Sequence, residues 1–250
     1  MMRFTWRSGI LAGGLGALLA APAAAQAPAP DRWNFSLMPY VWAAGISGNA
    51  TPFAGAPTIR FSRSFSDQIR DMDGALFLAG EAQVNRFSLL TDVMHVRASR
   101  RGTVGPGIPA RGRVSQTTFT LTPALRVLSS PRGGIDVLAG IRFWWLSADV
   151  SVAGGLRSAS PRRDFADPVI GVRGTYAFTP RWSVVGQADV GGFGLGSQST
   201  VVLNGLVNYR VADSVVVAAG YRAMMIRYRE GGMRVNATTS GPILGVTLRF

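Results

Sequence analysis

Leu244-Gly245-Val246-Thr247-Leu248-Arg249-Phe250 puts Leu244, Val246, Leu248 and Phe250 on one side of an extended chain and Gly245, Thr247 and Arg249 on the other. The same period of two runs back through the sequence. Val215, Val217, Ala219 and Tyr221 oppose Ala218, Gly220 and Arg222, and Val201, Leu203, Val207 and Tyr209 oppose Asn204 and Asn208. Trp182, Val184 and Val190 oppose Gln187 and Asp189; Ile135, Val137, Ile141, Phe143 and Trp145 oppose Asp136, Gly140 and Arg142. Phe119, Leu121 and Leu125 oppose Thr120, Thr122 and Arg126, and Leu78 and Ala82 oppose Glu81 and Gln83. Alternation of this kind specifies strands with two unlike faces, and Gly, Pro, Ser, Asp and Arg clusters separate them.

Ten such segments are expected, over 33–47, 74–86, 87–98, 114–128, 134–152, 167–179, 181–193, 198–211, 214–229 and 236–250. Short connections (Asn85-Arg86, 129–133, 179–181, Ala212-Asp213) alternate with longer ones (48–73, 99–113, 153–166, 194–197, 230–235). An even strand count with alternating short and long links is the layout of an all-β, closed, antiparallel up-and-down barrel with both ends on its short-turn side. Counts of eight or twelve also fit, the latter if 48–66 adds a hairpin.

Composition narrows the solvent and the chemistry. Of 250 residues 47% are hydrophobic and 16% charged, and all 26 basic residues are arginine, against 13 acids, for a net charge of +13. Without cysteine there is no disulfide framework, thiolate metal site or thiol nucleophile, and the lone His95 excludes a multi-histidine centre. No cofactor motif is present. Residues 1–25 read as a secretory signal peptide: Arg3 and Arg7 precede a short apolar run that ends in Ala23-Ala24-Ala25. Residues 26–32 form a Pro-broken linker and 33–250 a single barrel domain.

A soluble sandwich alternates too, but here the polar faces carry Gly, Ser, Thr, Asn, Gln and Arg instead of a Lys/Glu coat. Aromatics crowd the strand ends: Trp33, Tyr40, Trp42, Phe87, Trp144, Trp145, Tyr176, Phe178, Trp182, Tyr209, Tyr228 and Phe250 are expected to form interfacial girdles. In hydrocarbon every backbone amide needs an internal partner, which among sheets only a closed barrel supplies. The apolar faces are therefore expected to meet lipid.

The alternating strands and the terminal Leu244, Val246, Leu248 and Phe250 resemble the small outer-membrane β-barrel proteins of Gram-negative bacteria. The resemblance implies residence in the cell outer membrane and a barrel-assembly machinery that reads this last strand. More narrowly, Pro39-Tyr40-Val41-Trp42, then Ser64-Phe65-Ser66-Asp67 and Met72-Asp73, is similar to a group of outer-membrane proteins with a P-Y-x-W first strand and an S-F-S-D segment. Neither likeness implies a reaction.

Glu81, Asp92, Arg126, Asp136, Arg142, Arg173, Asp189, Arg222 and Arg249 fall on the interior parity, and such charges are tolerable only if they pair or meet water. They are expected to form a mixed network that plugs the lumen. Arg97, Arg100, Arg101, Arg111, Arg113, Arg157, Arg162 and Arg163 crowd the longer loops, with Arg227, Arg229 and Arg234 about the last. Guanidinium forks bind phosphate bidentately, so these residues are expected to hold lipopolysaccharide. No basic helix or stacking platform suggests nucleic acid. His95 is the only base a hydrolase could use, but Asp92, three residues earlier, lies on the opposite face.

Residues 64–73 are expected to form a short helix capped by Ser66, at the barrel mouth or the membrane interface. Gly191–Gly196 reads as a flexible turn. The leading expectation is a non-enzymatic structural or surface-interaction barrel. A narrow passive channel for small anionic solutes and a lipid-modifying enzyme are its rivals.

Overall fold

A computed structural model describes residues 32–51, 54–55, 57–104, 107–152, 157–159 and 162–250. The expected signal peptide and all of the linker except Arg32 lie outside them. The strands are β1 (Asn34–Trp42), β2 (Gly45–Thr51), β3 (Ile59–Arg63), β4 (Met72–Val84), β5 (Phe87–Val104), β6 (Ile108–Ser130), β7 (Gly133–Val152), β8 (Arg157–Ala159), β9 (Arg162–Ala177), β10 (Trp182–Gly191), β11 (Ser199–Ala212), β12 (Val215–Glu230) and β13 (Met233–Arg249), with one helix, α1 (Phe65–Asp71).

Every described pairing is antiparallel, the ring runs β1-β4-β5-β6-β7-β9-β10-β11-β12-β13, and β1 returns to β13 through Ser36↔Arg249, Tyr40↔Gly245 and Trp42↔Ile243. That contact leaves the ring no edge. Because β2 continues β1 past a break at Ala43-Ala44 and keeps pairing with β13, the two make one stave. β8 continues the β9 stave along β7 in the same register, and β3 pairs with β2 on the side that β4 takes along β1, so neither adds a stave. Ten staves close the barrel.

The parity holds along the staves. Leu244, Val246, Leu248 and Phe250 point outward, Phe250 with 72% of its surface exposed, while Ile243 and Gly245 point in. Trp33, Phe87, Trp145, Tyr176, Phe178 and Trp182 are likewise exposed, and Trp182 meets Tyr209 across the strand pair at 4.7 Å. Four of the aromatics expected in the girdles are instead lumenal: Tyr40, Trp42, Trp144 and Tyr228 are buried. Their strand positions require it. Tyr40 and Trp42 share a face with Met38, opposite the exposed Val41, and Trp144 lies between the outward Phe143 and Trp145.

The connections at the long end also differ from expectation. β5 and β6 stay paired as far as Val104↔Ile108, and β12 and β13 as far as Glu230↔Met233. Their arginines therefore lie on protruding hairpins, not in loops. Backbone pairing needs no apolar face, so the strands continue where their side chains turn polar and water replaces lipid. The segment 48–73 does form a hairpin, β2–β3, but it prolongs the β1 and β4 staves and leaves ten. β10 is the short one, and the wall is lowest there.

The helix forms as expected, but its cap is Ser64. The Ser64 hydroxyl accepts from the Asp67 amide at 3.2 Å, and the Asp67 carboxylate accepts from the Ser64 amide at 3.2 Å, a reciprocal capping box. Gln68 Nε2 donates to the Ala44 carbonyl at 2.6 Å, which straps α1 across the break between β1 and β2. Hydrogen bonds from the Ser64 side chain, then from its backbone, hold the Asp67 carboxyl below the usual carboxylate range. Its contribution is complete above the unfolded value of about 3.9 and fades as pH falls through the lower folded value. The protection factor of the Gln68 amide, its exchange relative to the intrinsic rate at each pH, should fall on acidification below about pH 4, and Asp67→Asn should remove that pH dependence.

Candidate functional site

The lumen is built from rows of inward residues that follow the strand pairing. One row runs Arg126, Asp136, Arg173, Gln187, Asn204, Arg222 across β6, β7, β9, β10, β11 and β12. A second runs Asp92, Thr120, Arg142, Asp167 across β5, β6, β7 and β9. Neighbours in a row are within side-chain reach, so acids and arginines that look unrelated in sequence are set side by side.

Eight of the nine expected lumen charges pair. Arg126 binds Asp136 through Nε, and through Nη2 at 3.2 Å; Arg173 reaches Asp136 at 3.5 Å and both Glu81 oxygens at 2.9 and 3.0 Å. Arg142, with 2% of its surface exposed, donates to Asp189 at 2.9 Å, Thr120 Oγ1 at 3.0 Å and Thr200 Oγ1 at 3.4 Å. Arg222 grips Asp92 bidentately at 2.9 and 3.1 Å. The ninth, Arg249, makes no ion pair among the described residues and stands exposed at the short-turn end.

Two residues that the sequence reading left out of the network belong to it. The Tyr40 hydroxyl donates to Asp92 at 2.8 Å and accepts from Arg222 Nη1 at 2.8 Å. The Arg222 guanidinium also lies 5.9 Å from the Tyr40 ring centre and 5.3 Å from that of Trp42. The Pro39–Trp42 segment thus supplies two aromatic faces and one hydroxyl to a single buried cation. Alternation around Val41 carried that signal. The other residue is Asp167, with no exposed surface, which accepts from Trp144 Nε1 at 3.1 Å, the Ser197 amide at 2.7 Å and Ser197 Oγ at 2.9 Å. Pro168 beside it blurs the alternation of β9.

Ser197 ends the Gly-rich segment expected to be a flexible turn, and the turn is pinned. Gly194 donates to the Ser197 carbonyl at 2.9 Å, Gly192 to Pro168 at 3.1 Å, and Gln198 to Arg227 at 2.9 Å. A Cβ on Gly196 would stand 2.7 Å from Asp167 Oδ1, so only glycine lets the chain approach that carboxylate. Toward the long end, the lumen is packed with Tyr40, Trp42, Met94, Trp144, Met224 and Ile243, with Phe77 and Phe165 against them. Toward the short-turn end it opens into a cavity of about 600 Å³.

On the outer wall, β5 and β6 carry Arg97, Arg101, Arg111 and Arg113 on the outward parity, all exposed, with Arg101 directly opposite Arg111. Arg97 shares a row with Ser115, Ser147 and Arg162. The row below holds His95, Thr117 and Trp145, with Phe143 and Phe119 stacked beneath. With a rise of about 3.4 Å per residue and a tilt near 40°, the Arg97, Arg113 and Arg101 rows stand about 5, 10 and 15 Å above Trp145. On the far side, Arg229 opposes Arg234, both exposed. Arg163 takes the lumen parity instead and donates to the Arg162 carbonyl at 3.0 Å. Arg100 and Arg157 lie in β5 and β8, but their side chains fall outside the described set. His95 faces outward as expected, with Nδ1 2.7 Å from Thr117 Oγ1, while Asp92 points into the lumen.

No protein-family model matches the chain, and no curated protein matches it. Among solved structures it is similar to the outer membrane protease OmpT of Escherichia coli, with a TM-score of 0.62 at 11% identity over 87% of this chain and 97% of that one. It is also similar to the transport unit of the autotransporter AIDA-I from Escherichia coli (TM-score 0.47, 9% identity, 94% of each chain). A further likeness is to Ail, the attachment invasion locus protein of Yersinia pestis (0.40, 12%, 87% and 98%). The OmpT likeness is one of fold. With its edgeless ring and outward apolar band, the chain is an integral β-barrel of the Gram-negative outer membrane.

Removing one partner of the Arg222–Asp92 pair leaves a buried charge uncompensated. Arg222→Met should cost about 3–5 kcal/mol in urea unfolding from detergent micelles. Combining it with Asp92→Leu should recover most of that loss, because an apolar pair of similar volume replaces the ions without a stranded charge.

Proposed function

We propose that this barrel is a non-enzymatic surface protein that holds lipopolysaccharide phosphates on its outward arginines and whose lumen does not conduct. The observation that carries the reading is the β5–β6 face. Arg97, Arg101, Arg111 and Arg113 make no ion pair among the described residues; the acids beside them are Asp149, opposite Arg113, and Asp73, which accepts from Ser99 Oγ at 2.8 Å next to Arg97, two acids against four arginines. Like charges directly opposite, as at Arg101 and Arg111, destabilise a bare hairpin. An anion between them turns that repulsion into two charge-assisted contacts. Their height above Trp145 matches the headgroup zone, where phosphate is the chemistry on offer.

Two observations support the rest of the reading. The apolar packing at the long end and the paired charges below it occupy lumen space that a channel would need, which supports a closed reading for a barrel little wider than eight staves. The single imidazole meets only a threonine hydroxyl on the outward face, away from every lumen acid. The protease activity in the name of OmpT belongs to that protein. The outward Leu244, Val246, Leu248 and Phe250 are the residues we assign to recognition by the assembly machinery.

Replacing Arg97, Arg101, Arg111 and Arg113 by Glu should lower co-purified lipopolysaccharide several-fold relative to the unaltered protein. Unchanged retention removes the proposal. In planar bilayers the protein should stay silent over many insertions. Discrete anion-selective steps would instead favour the narrow channel, for which the arginine-lined cavity at the short-turn end is the supporting feature.

A further inference from the structure

The charges around the 600 Å³ cavity do not cancel. Six arginines line it: Arg126, Arg132, Arg142, Arg173, Arg222 and Arg249. Four of them are matched, Arg126 by Asp136, Arg173 by Glu81, Arg142 by Asp189 and Arg222 by Asp92. Arg132 and Arg249 are left over. Among the described residues Arg132 reaches only the Tyr176 hydroxyl, at 3.4 Å, and Arg249, which makes no ion pair, feels the like charge of Arg210 more than that of Glu81, itself held by Arg173. Both belong to the short-turn end, where Ser183, Asn208 and Thr247 add further hydrogen-bonding groups to the lining. Deeper in, Asn204 Oδ1 and Arg222 Nε are buried without a hydrogen-bond partner.

We infer that this cavity is a binding site, reached from the short-turn side, for a small multivalent oxyanion: a di- or tricarboxylate, or a pyrophosphate-like group. Two unmatched guanidiniums at the mouth of a pocket with low-dielectric walls concentrate field lines and raise the local concentration of anions. Planar forks recognise carboxylate and phosphate oxygens in pairs, so two of them favour a ligand with at least two anionic groups over chloride. The size suits a metabolite-scale molecule, since ligand pockets run from about 300 to 1,000 Å³. Binding depends neither on the outer arginines nor on a closed lumen. A conducting barrel would overturn the preceding proposal and leave this one standing.

The test titrates the purified full chain in detergent with citrate and, separately, with pyrophosphate, followed by calorimetry. Saturable binding of at least one is expected, with affinity falling tenfold or more in the Arg132→Gln/Arg249→Gln double variant. Neither residue has an ion pair to lose, and a heat-dependent gel shift verifies that the variant is still a closed barrel. The Arg101→Gln/Arg111→Gln variant should bind as tightly as the unaltered protein. Saturation by citrate alone assigns a carboxylate ligand, and by pyrophosphate alone a phosphate. Binding of neither overturns the site, as does binding that survives the double variant or is lost equally in the outer-wall variant.

Discussion

The structure depends on the return of β1 to β13. In hydrocarbon an unpaired amide costs several kcal/mol, and an open sheet of nine or more staves would present two full edges of them. Ser36↔Arg249 through Trp42↔Ile243 removes both edges at once. The continued pairing of β2 with β13 carries the seam beyond the break at Ala43-Ala44. Once closed, a ring of ten is narrow enough for side chains from opposite walls to meet. Tyr40, Asp92 and Arg222 do so from β1, β5 and β12.

Inside that wall the absence of lysine acquires a meaning. A guanidinium stays charged at any pH a barrel meets, offers donors in several directions and lies flat against rings. Arg142 uses three of its nitrogens on three partners, and Arg222 combines a bidentate carboxylate contact with two aromatic faces. An ammonium, compact and strongly hydrated, fits neither arrangement. The network is arginine chemistry throughout.

Much of this was legible in the sequence. The period of two located all ten staves and assigned every paired lumen charge to the correct face, because one residue of slip would have turned Leu244, Val246 and Leu248 away from lipid. Strand ends were harder. The stretch 97–113 changes composition where the wall leaves the bilayer, and that change looks the same as the end of pairing. The four inward aromatics were misplaced by their residue type although their parity was plain. The Tyr40–Arg222 contact joins positions 182 residues apart, and no local pattern reports a meeting across a lumen. Asp167 was hidden by Pro168, and Ser64 by the nearer Ser66.

The unequal stave lengths have one further consequence. β6 runs for 23 residues and β7 for 20, but β10 stops after 10. The crown of the barrel is therefore a slope, with its crest over β5–β7 and its trough at the glycine turn beside Ser197. A bulky body approaching this end meets the crest first and is held off the bilayer there. On the opposite flank Phe193 and Leu195 stand exposed at the trough, and the distance between solution and hydrocarbon is at its shortest.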